Sequence, residues 1–257
     1  MTAFLGNTFG VRVVTLPPTR DNLVRRYDEH ARTLEISAML PPASRVLQVA
    51  HQIGLLAASR ELDDLVSESK FIGDDAKILT RIALANYFAA AMAMPYKKFH
   101  KAAKACRYDV DLLKHLFGTS FEQVCHRLTT LQRPGARGVP FHFLRSDIAG
   151  NISKRFSLSG IHIPRHGGAC PRWNIYAAFL QPETINVQIS QMPDGSTYFC
   201  IARTTRKHSG GYAAPQSHRS IGIGCEINRA RELVYADGID LDNPDLAIPI
   251  GISCRTC

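Results

Sequence analysis

At 257 residues, with 45% of them hydrophobic, the chain suits one large or two modest domains with a proper core. No window reaches eighteen consecutive apolar residues, and the start, MTAFLGNTFGVRV, lacks a basic segment followed by a long apolar one. Neither a transmembrane helix nor a signal peptide is expected, and the reading is a cytoplasmic protein without membrane contact. A net charge of +9 favours a polyanionic partner, nucleic acid or a phosphate-bearing ligand, with solubility as the competing explanation.

In chain order, VRVVTL, LVRRYD and TLEIS read as strands within residues 8–37, the last two joined by the polar turn EHAR. From Pro41 the period changes. Val46, Val49, Ala50, Ile53 and Leu56 recur at helical steps behind PPAS, and helices follow at 59–68, 74–93, 95–106, 109–117 and 120–131. QRPGARGVP, residues 132–140, marks a boundary, which predicts a helical domain over 1–135 and a strand-rich domain over 136–257. In the second, FHFLR, ISKRFSL, INVQIS, STYFCIAR and RSIGIG read as strands, MPDGS as a hairpin turn, and residues 226–235 as a helix. The fold class is α+β.

Seven cysteines, an odd number, argue against a disulfide framework in a chain of this kind. Cys125, Cys200 and Cys106 lie within element patterns and read as core residues. Cys170, Cys225, Cys254 and Cys257 stand beside Gly or Pro or in loop-like contexts. The chain ends in GISCRTC, so its last residue closes a Cys-x-x-Cys with no cap behind it, which reads as a chain cut within a longer protein. Two thiols at that spacing bind a metal, cycle as a redox pair, or do neither.

Two further patterns concern chemistry. The helix carrying VAHQIGLL sets His51, Gln52, Ile53, Gly54 and Leu55 where a zinc peptidase has His-Glu-x-x-His. An amide replaces the base and an apolar side chain the second ligand, so the peptidase reading fails there and His51 reads as a core histidine. Residues 109–132 have helix-turn-helix spacing around Gly118–Ser120, with Glu122, Gln123, His126 and Arg127 on the second helix. DNA reading by this element competes with plain helix packing.

Several stretches together resemble one family. ALANYFAAAMAMPYKKFHKAA, RYDVDLLKHLFGTSFEQVCHRLTTLQRPGARGVPFHFLRSDIAGNISKR, GGACPRWNIYAAF, QMPDGSTYFCIARTT, IGIGCEINRARELVYADGIDL and PIGISCRTC are similar to the short-chain fatty acyl transcriptional regulators of actinobacteria. The resemblance implies a degenerate zinc-peptidase-like half followed by a C-terminal effector half. It also implies an N-terminal helix-turn-helix domain that this chain does not carry and that binds operator DNA, commonly as a dimer. Such regulators bind an acyl-coenzyme A and an iron–sulfur cluster, and control propionate, methylcitrate or glyoxylate metabolism. Cys254 and Cys257 match the first pair of the family's cysteine motif. The cluster ligands expected on this basis are Cys225, Cys254 and Cys257, with Cys170 as a further candidate.

On that reading the chain is a non-enzymatic sensor of coenzyme A or a short acyl-coenzyme A. Such a ligand needs Arg and Lys for its phosphates, an aromatic or guanidinium face for adenine, and an apolar channel for pantetheine. Arg145, Lys154 and Arg155 around the Gly150–Asn151 turn are the expected cations, and Tyr87, Tyr96 and Phe99, beside Lys97 and Lys98, the expected aromatic and apolar contacts. They predict a site in the cleft between the two halves. Two alternatives come from other classes: a hydrolase using Cys170 with His166, flanked by Arg165 and Arg172, and direct DNA binding through residues 109–132.

Overall fold

The computed structural model of the chain describes residues 1–17, 23–69, 73–163, 170–207 and 216–251. They fall into two compact units: one holds Met1–Tyr96 and Phe117–Ser120, the other Lys97–Leu116, Phe121–Lys207 and the stretch from Gln216.

The first unit opens with α1 (Thr2–Phe9), followed by β1 (Arg12–Leu16), β2 (Arg25–Asp28) and β3 (Thr33–Ser37). The three strands form a sheet in the order β1-β3-β2, with β1 parallel and β2 antiparallel to β3. The sequence pattern missed α1, because Gly6 and Asn7 are poor helix formers and only Leu5 is buried. Its end is set by Gly10, at φ 65, whose N–H donates to Gly6 O, while the following Val11 N–H donates to Leu5 O. Then come α2 (Pro42–Ala57), α3 (Ser59–Ser67) and α4 (Asp74–Ala93). Pro42 suits the first helical turn, where no N–H is needed. The helical period of α2 buries Val49 and Ile53 with Leu5, Val11, Leu34, Ile36 and Leu40, while Phe88 and Met92 of α4 pack against this core. A Cβ on Gly54 would stand 2.8 Å from the Phe88 ring, so glycine permits the close approach of α2 and α4.

The second unit contains α5 (Tyr96–Ala105), which begins at the last residue of the first stretch of unit one, α6 (Val110–Phe117), whose final residue belongs to the first unit, and α7 (Phe121–Leu128). Its strands are β4 (His142–Asp147), β5 (Ile152–Ser157), β6 (Asn186–Gln191), β7 (Thr197–Lys207), β8 (Ser217–Glu226) and β9 (Ala247–Pro249), with the short helix α8 (Asn174–Ala177) between β5 and β6. The sheet order is β5-β4-β8-β7-β6-β9, antiparallel except for the β6–β9 pair. The helix expected over 226–235 is instead two 3₁₀ turns, Ile227–Glu232 and Val234–Ala236. Here the Val234 N–H donates to Arg107 O at 2.9 Å, a long-range partner that replaces helix propagation.

Period-two alternation divides the sheet into two chemical faces. Phe143, Arg145, Ile201, Arg203, Ile221, Ile223 and Cys225 share one, where the sheet meets α6 and α7 through Arg203–Asp111, Arg145–Glu122 and the His126–Phe143 ring contact. His142, Leu144, Cys200, Ala202, Gly222 and Gly224 share the other, covered by Trp173 and Ile175. Among the described residues no single helix is long and apolar enough to cross a membrane.

Candidate functional site

His51 and Gln52 are buried on α2. His51 Nδ1 lies 2.9 Å from Asn86 Oδ1 of α4, and Gln52 Oε1 accepts from the Arg25 guanidinium on β2. Burial, and then the Arg25 charge, hold the His51 pKa below the usual imidazole value. Where a peptidase base would sit, an amide is tied to an arginine. Leu55, in the second ligand position, has no donor atom. These residues knit α2 to β2 and α4, and they do not provide a zinc site.

A groove of about 570 Å³ lies on the same unit, beside the first turns of α2. Val13, Thr15 and Ile36 from the β1–β3 face line it, with Pro42, Val46 and Val49 from α2 and Met1 and Thr2 from the start of the chain. Arg45 is its one charged lining residue, and its guanidinium forms no ion pair among the described residues. Alternation puts Val13 and Thr15 on one strand face, and residues 45, 46 and 49 share one helix face, but only the packing of α2 beside the sheet brings the two together as a groove.

Of the expected coenzyme A residues, Tyr87 and Tyr96 fall in the first unit and Phe99, Arg145, Lys154 and Arg155 in the second. Phe99 is fully buried on α5, a core side chain with no surface to offer a ligand. Tyr87 on α4 is 49% exposed, Tyr96 is half-buried, and Lys97 and Lys98 are exposed on α5. Arg145 and Lys154 are cross-strand partners, and both donate to Glu122 Oε1, at 2.7 and 3.2 Å. Burial pushes the Glu122 carboxyl up, but Lys154 and Arg145 outweigh it and hold it below the usual range. Arg155 pairs with Leu144 and so belongs to the opposite sheet face. One residue of register separates Arg155 from the other two cations, and with a period of two that is a change of side.

The DNA-reading alternative fails on α7. Phe121, Val124, Cys125, Arg127 and Leu128 are buried, Glu122 is taken by Arg145 and Lys154, and His126 meets the Phe143 ring edge-on. A helix docked on a sheet along this face cannot also enter a DNA groove with it.

Cys125 and Cys200 are buried, as their element patterns suggested, and Cys106 is half-buried. Burial drives the Cys225 and Cys125 thiols up, and that of Cys200 up to about 11. Cys225 ends β8 on the face shared with Phe199, whereas Cys170 is buried in the cluster around Cys200, Trp173 and Ile175 on the other face. The sheet backbone lies between them, so a single iron–sulfur cluster does not take both in this arrangement. Cys225 precedes the six-residue 3₁₀ turn Ile227–Glu232, where the sequence pattern predicted an α-helix over 226–235. Cys254 and Cys257, and His166 and Arg165 of the hydrolase alternative, lie outside the described residues. Among the described residues no three His, Cys, Asp or Glu side chains are grouped to hold a metal.

Against Cys200, His142 forms a buried polar pair: Nδ1 is 2.8 Å from Ser159 Oγ and Nε2 is 3.6 Å from Cys200 Sγ. Desolvation lowers its pKa to about 3, so the imidazole is neutral. Gly224 leaves room for it, because a Cβ there would stand 2.6 Å from both the His142 ring and Phe199 O. Nothing in the sequence marked this pair, since His142 looked like any residue of the FHFLR strand.

A peptidase-like helix that keeps His51 but carries an amide for the base and a leucine for the second ligand, joined to a six-stranded sheet, defines the class. Residues 7–129 match the IrrE N-terminal-like domain of the M78 peptidases, and residues 130–257 match the family described as short-chain fatty acyl coenzyme A regulator, C-terminal. The chain is 45% identical over 249 residues to the HTH-type transcriptional regulator PrpR of Mycobacterium tuberculosis, covering 97% of this chain and 51% of that protein. It is 44% identical over 259 residues to RamB of the same organism, covering 55% of it, and 46% identical over 224 residues to the propionyl-CoA carboxylase regulator of Cereibacter sphaeroides, covering 87% of this chain and 48% of that protein. A solved Mycobacterium tuberculosis transcriptional regulator superposes with a TM-score of 0.95 at 44% identity, over 100% of this chain and 78% of that one. The chain belongs to the short-chain fatty acyl coenzyme A regulator family. It spans about half the length of the curated relatives it matches.

Proposed function

We propose that this chain is the ligand-sensing part of a transcriptional regulator and that it takes coenzyme A or a short acyl-coenzyme A without turning it over. The groove beside α2 carries this reading: its apolar walls suit pantetheine or a short acyl chain, and Arg45 is positioned for a phosphate. Membership of a family named for short-chain fatty acyl coenzyme A, and a relative named for propionyl-CoA carboxylase, support the ligand class. In the whole protein, the same reading includes operator binding through an N-terminal helix-turn-helix domain, a homodimer, and control of propionate, methylcitrate or glyoxylate genes. For the ligand to act as a switch, it must bind the DNA-competent and DNA-incompetent states unequally.

Calorimetry with coenzyme A and propionyl-coenzyme A tests the proposal. Arg45→Glu is expected to weaken binding at least about tenfold, the scale of one charge-assisted contact, while Lys77→Glu, at an ion-paired surface site, leaves it unchanged. Equal affinities in both variants reject the groove, and no binding of either compound rejects the sensing function. The iron–sulfur cluster belongs to the proposal through Cys254 and Cys257. Iron content and visible absorbance of an anaerobically purified longer chain test that part.

A further inference from the structure

Strands β7 and β8 outrun their neighbours. β6 pairs with β7 no further than Ala202, and β4 pairs with β8 no further than Arg219, but β7 and β8 stay paired through Arg206↔His218 and Lys207↔Ser217. The final rungs form a two-stranded ribbon. Between Asp194 and Glu226 the sequence holds no acidic residue at all. Arg206 is exposed and sits directly opposite His218 on one face of the ribbon, and Arg219 lies on the other face, donating to Ser217 Oγ at 3.3 Å. Neither arginine forms an ion pair among the described residues. Asp147, across from Arg219 on β4, has its carboxylate engaged by the Asn151 N–H and Nδ2 at 2.9 and 3.0 Å.

We propose that this ribbon contacts the phosphate backbone of duplex DNA. A flat polyanion needs cations on one face only. Here both faces carry them, which suits a ribbon lying between two phosphate walls, and the major groove, roughly 12 Å wide, admits a two-stranded ribbon. The contact is independent of sequence, adds to whatever domain reads the operator, and draws on the chain's +9 charge. It does not depend on the coenzyme A reading.

The test is fluorescence anisotropy of residues 1–257 with a random-sequence duplex, titrated with salt from about 50 to 200 mM. Binding is expected at the low end. Arg206→Gln and Arg219→Gln should each reduce the slope of log affinity against log salt by about 1, while Lys77→Gln leaves it unchanged. Arg206→Gln, at an exposed position that forms no ion pair among the described residues, should melt close to the parent temperature. Should it melt lower, Ser217→Glu, which adds an acid to the ribbon and removes no arginine, takes its place with the same expected slope loss. Absence of binding at about 50 mM salt, or parental slopes in the ribbon variants, overturns the proposal. So does loss of coenzyme A affinity in those variants with DNA binding intact, which would assign the ribbon to the phosphates of that ligand.

Discussion

The Glu122 carboxylate on α7 accepts from Arg145 Nη1 on β4 at 2.7 Å. Lys154 reaches the same oxygen from the neighbouring strand, so one acid holds two cations that would otherwise repel across the β4–β5 ladder. The Arg145 side chain is only 13% exposed. Glu122→Gln is therefore expected to leave a largely buried guanidinium without its counter-charge. The cost should be about 2 kcal/mol in urea unfolding, below the roughly 3–5 kcal/mol of a fully buried pair because Glu122 is a quarter exposed. In the wild type this contribution belongs to the ionised carboxylate. It is complete above the ordinary glutamate range and lost as the pH falls through the depressed folded value.

His142 predicts a second acid sensitivity, distinct in its cause. Its folded pKa of about 3 lies below the ordinary 6.5, so the unfolded chain binds a proton that the folded chain refuses. Stability should fall by about 1.4 kcal/mol per pH unit as the pH drops from 6.5 towards 3, on account of this group alone. His51 and His126 shift in the same direction. Urea melts at pH 7, 6 and 5 should show a shallower decline in His142→Gln than in the parent. Parallel declines would contradict the buried neutral imidazole.

Gly224→Ala and Gly6→Ala should have opposite effects. The first puts a methyl group 2.6 Å from Phe199 O and the His142 ring, and the backbone oxygen cannot step aside; a loss of at least ~2 kcal/mol is expected. The second fills open space inside α1, with the nearest atom 3.9 Å away, and should stabilise by up to about 1 kcal/mol. Thermal melts of the two variants decide both.

The thiols offer a check on burial without any metal. Cys125, Cys200 and Cys225 are buried and desolvation raises all three, whereas Cys106 is half-buried. Brief alkylation of the native protein at pH 8, followed by peptide mapping, should modify Cys106 well before these three, and denaturant should equalise them. Early labelling of Cys225 would show that the end of β8 opens to solvent.

The sequence by itself determined much of the scaffold. Period-two runs placed β1 to β8 except for boundaries, helical repeats placed α2 to α7, and the wording of His51–Leu55 disclosed a peptidase helix without its chemistry. Quoted stretches along nearly the whole chain carried the family. These signals are local or additive, and they survive without knowing what packs on what. Tertiary structure alone decided the rest. A one-residue register step put Arg155 across the sheet from Arg145 and Lys154, strand alternation separated Cys225 from Cys170, and burial removed Phe99 from any ligand surface. The groove around Arg45 and the His142–Cys200 contact each join residues distant in the chain. Which charges meet, and which face a side chain takes, depend on pairings between segments that no single segment encodes.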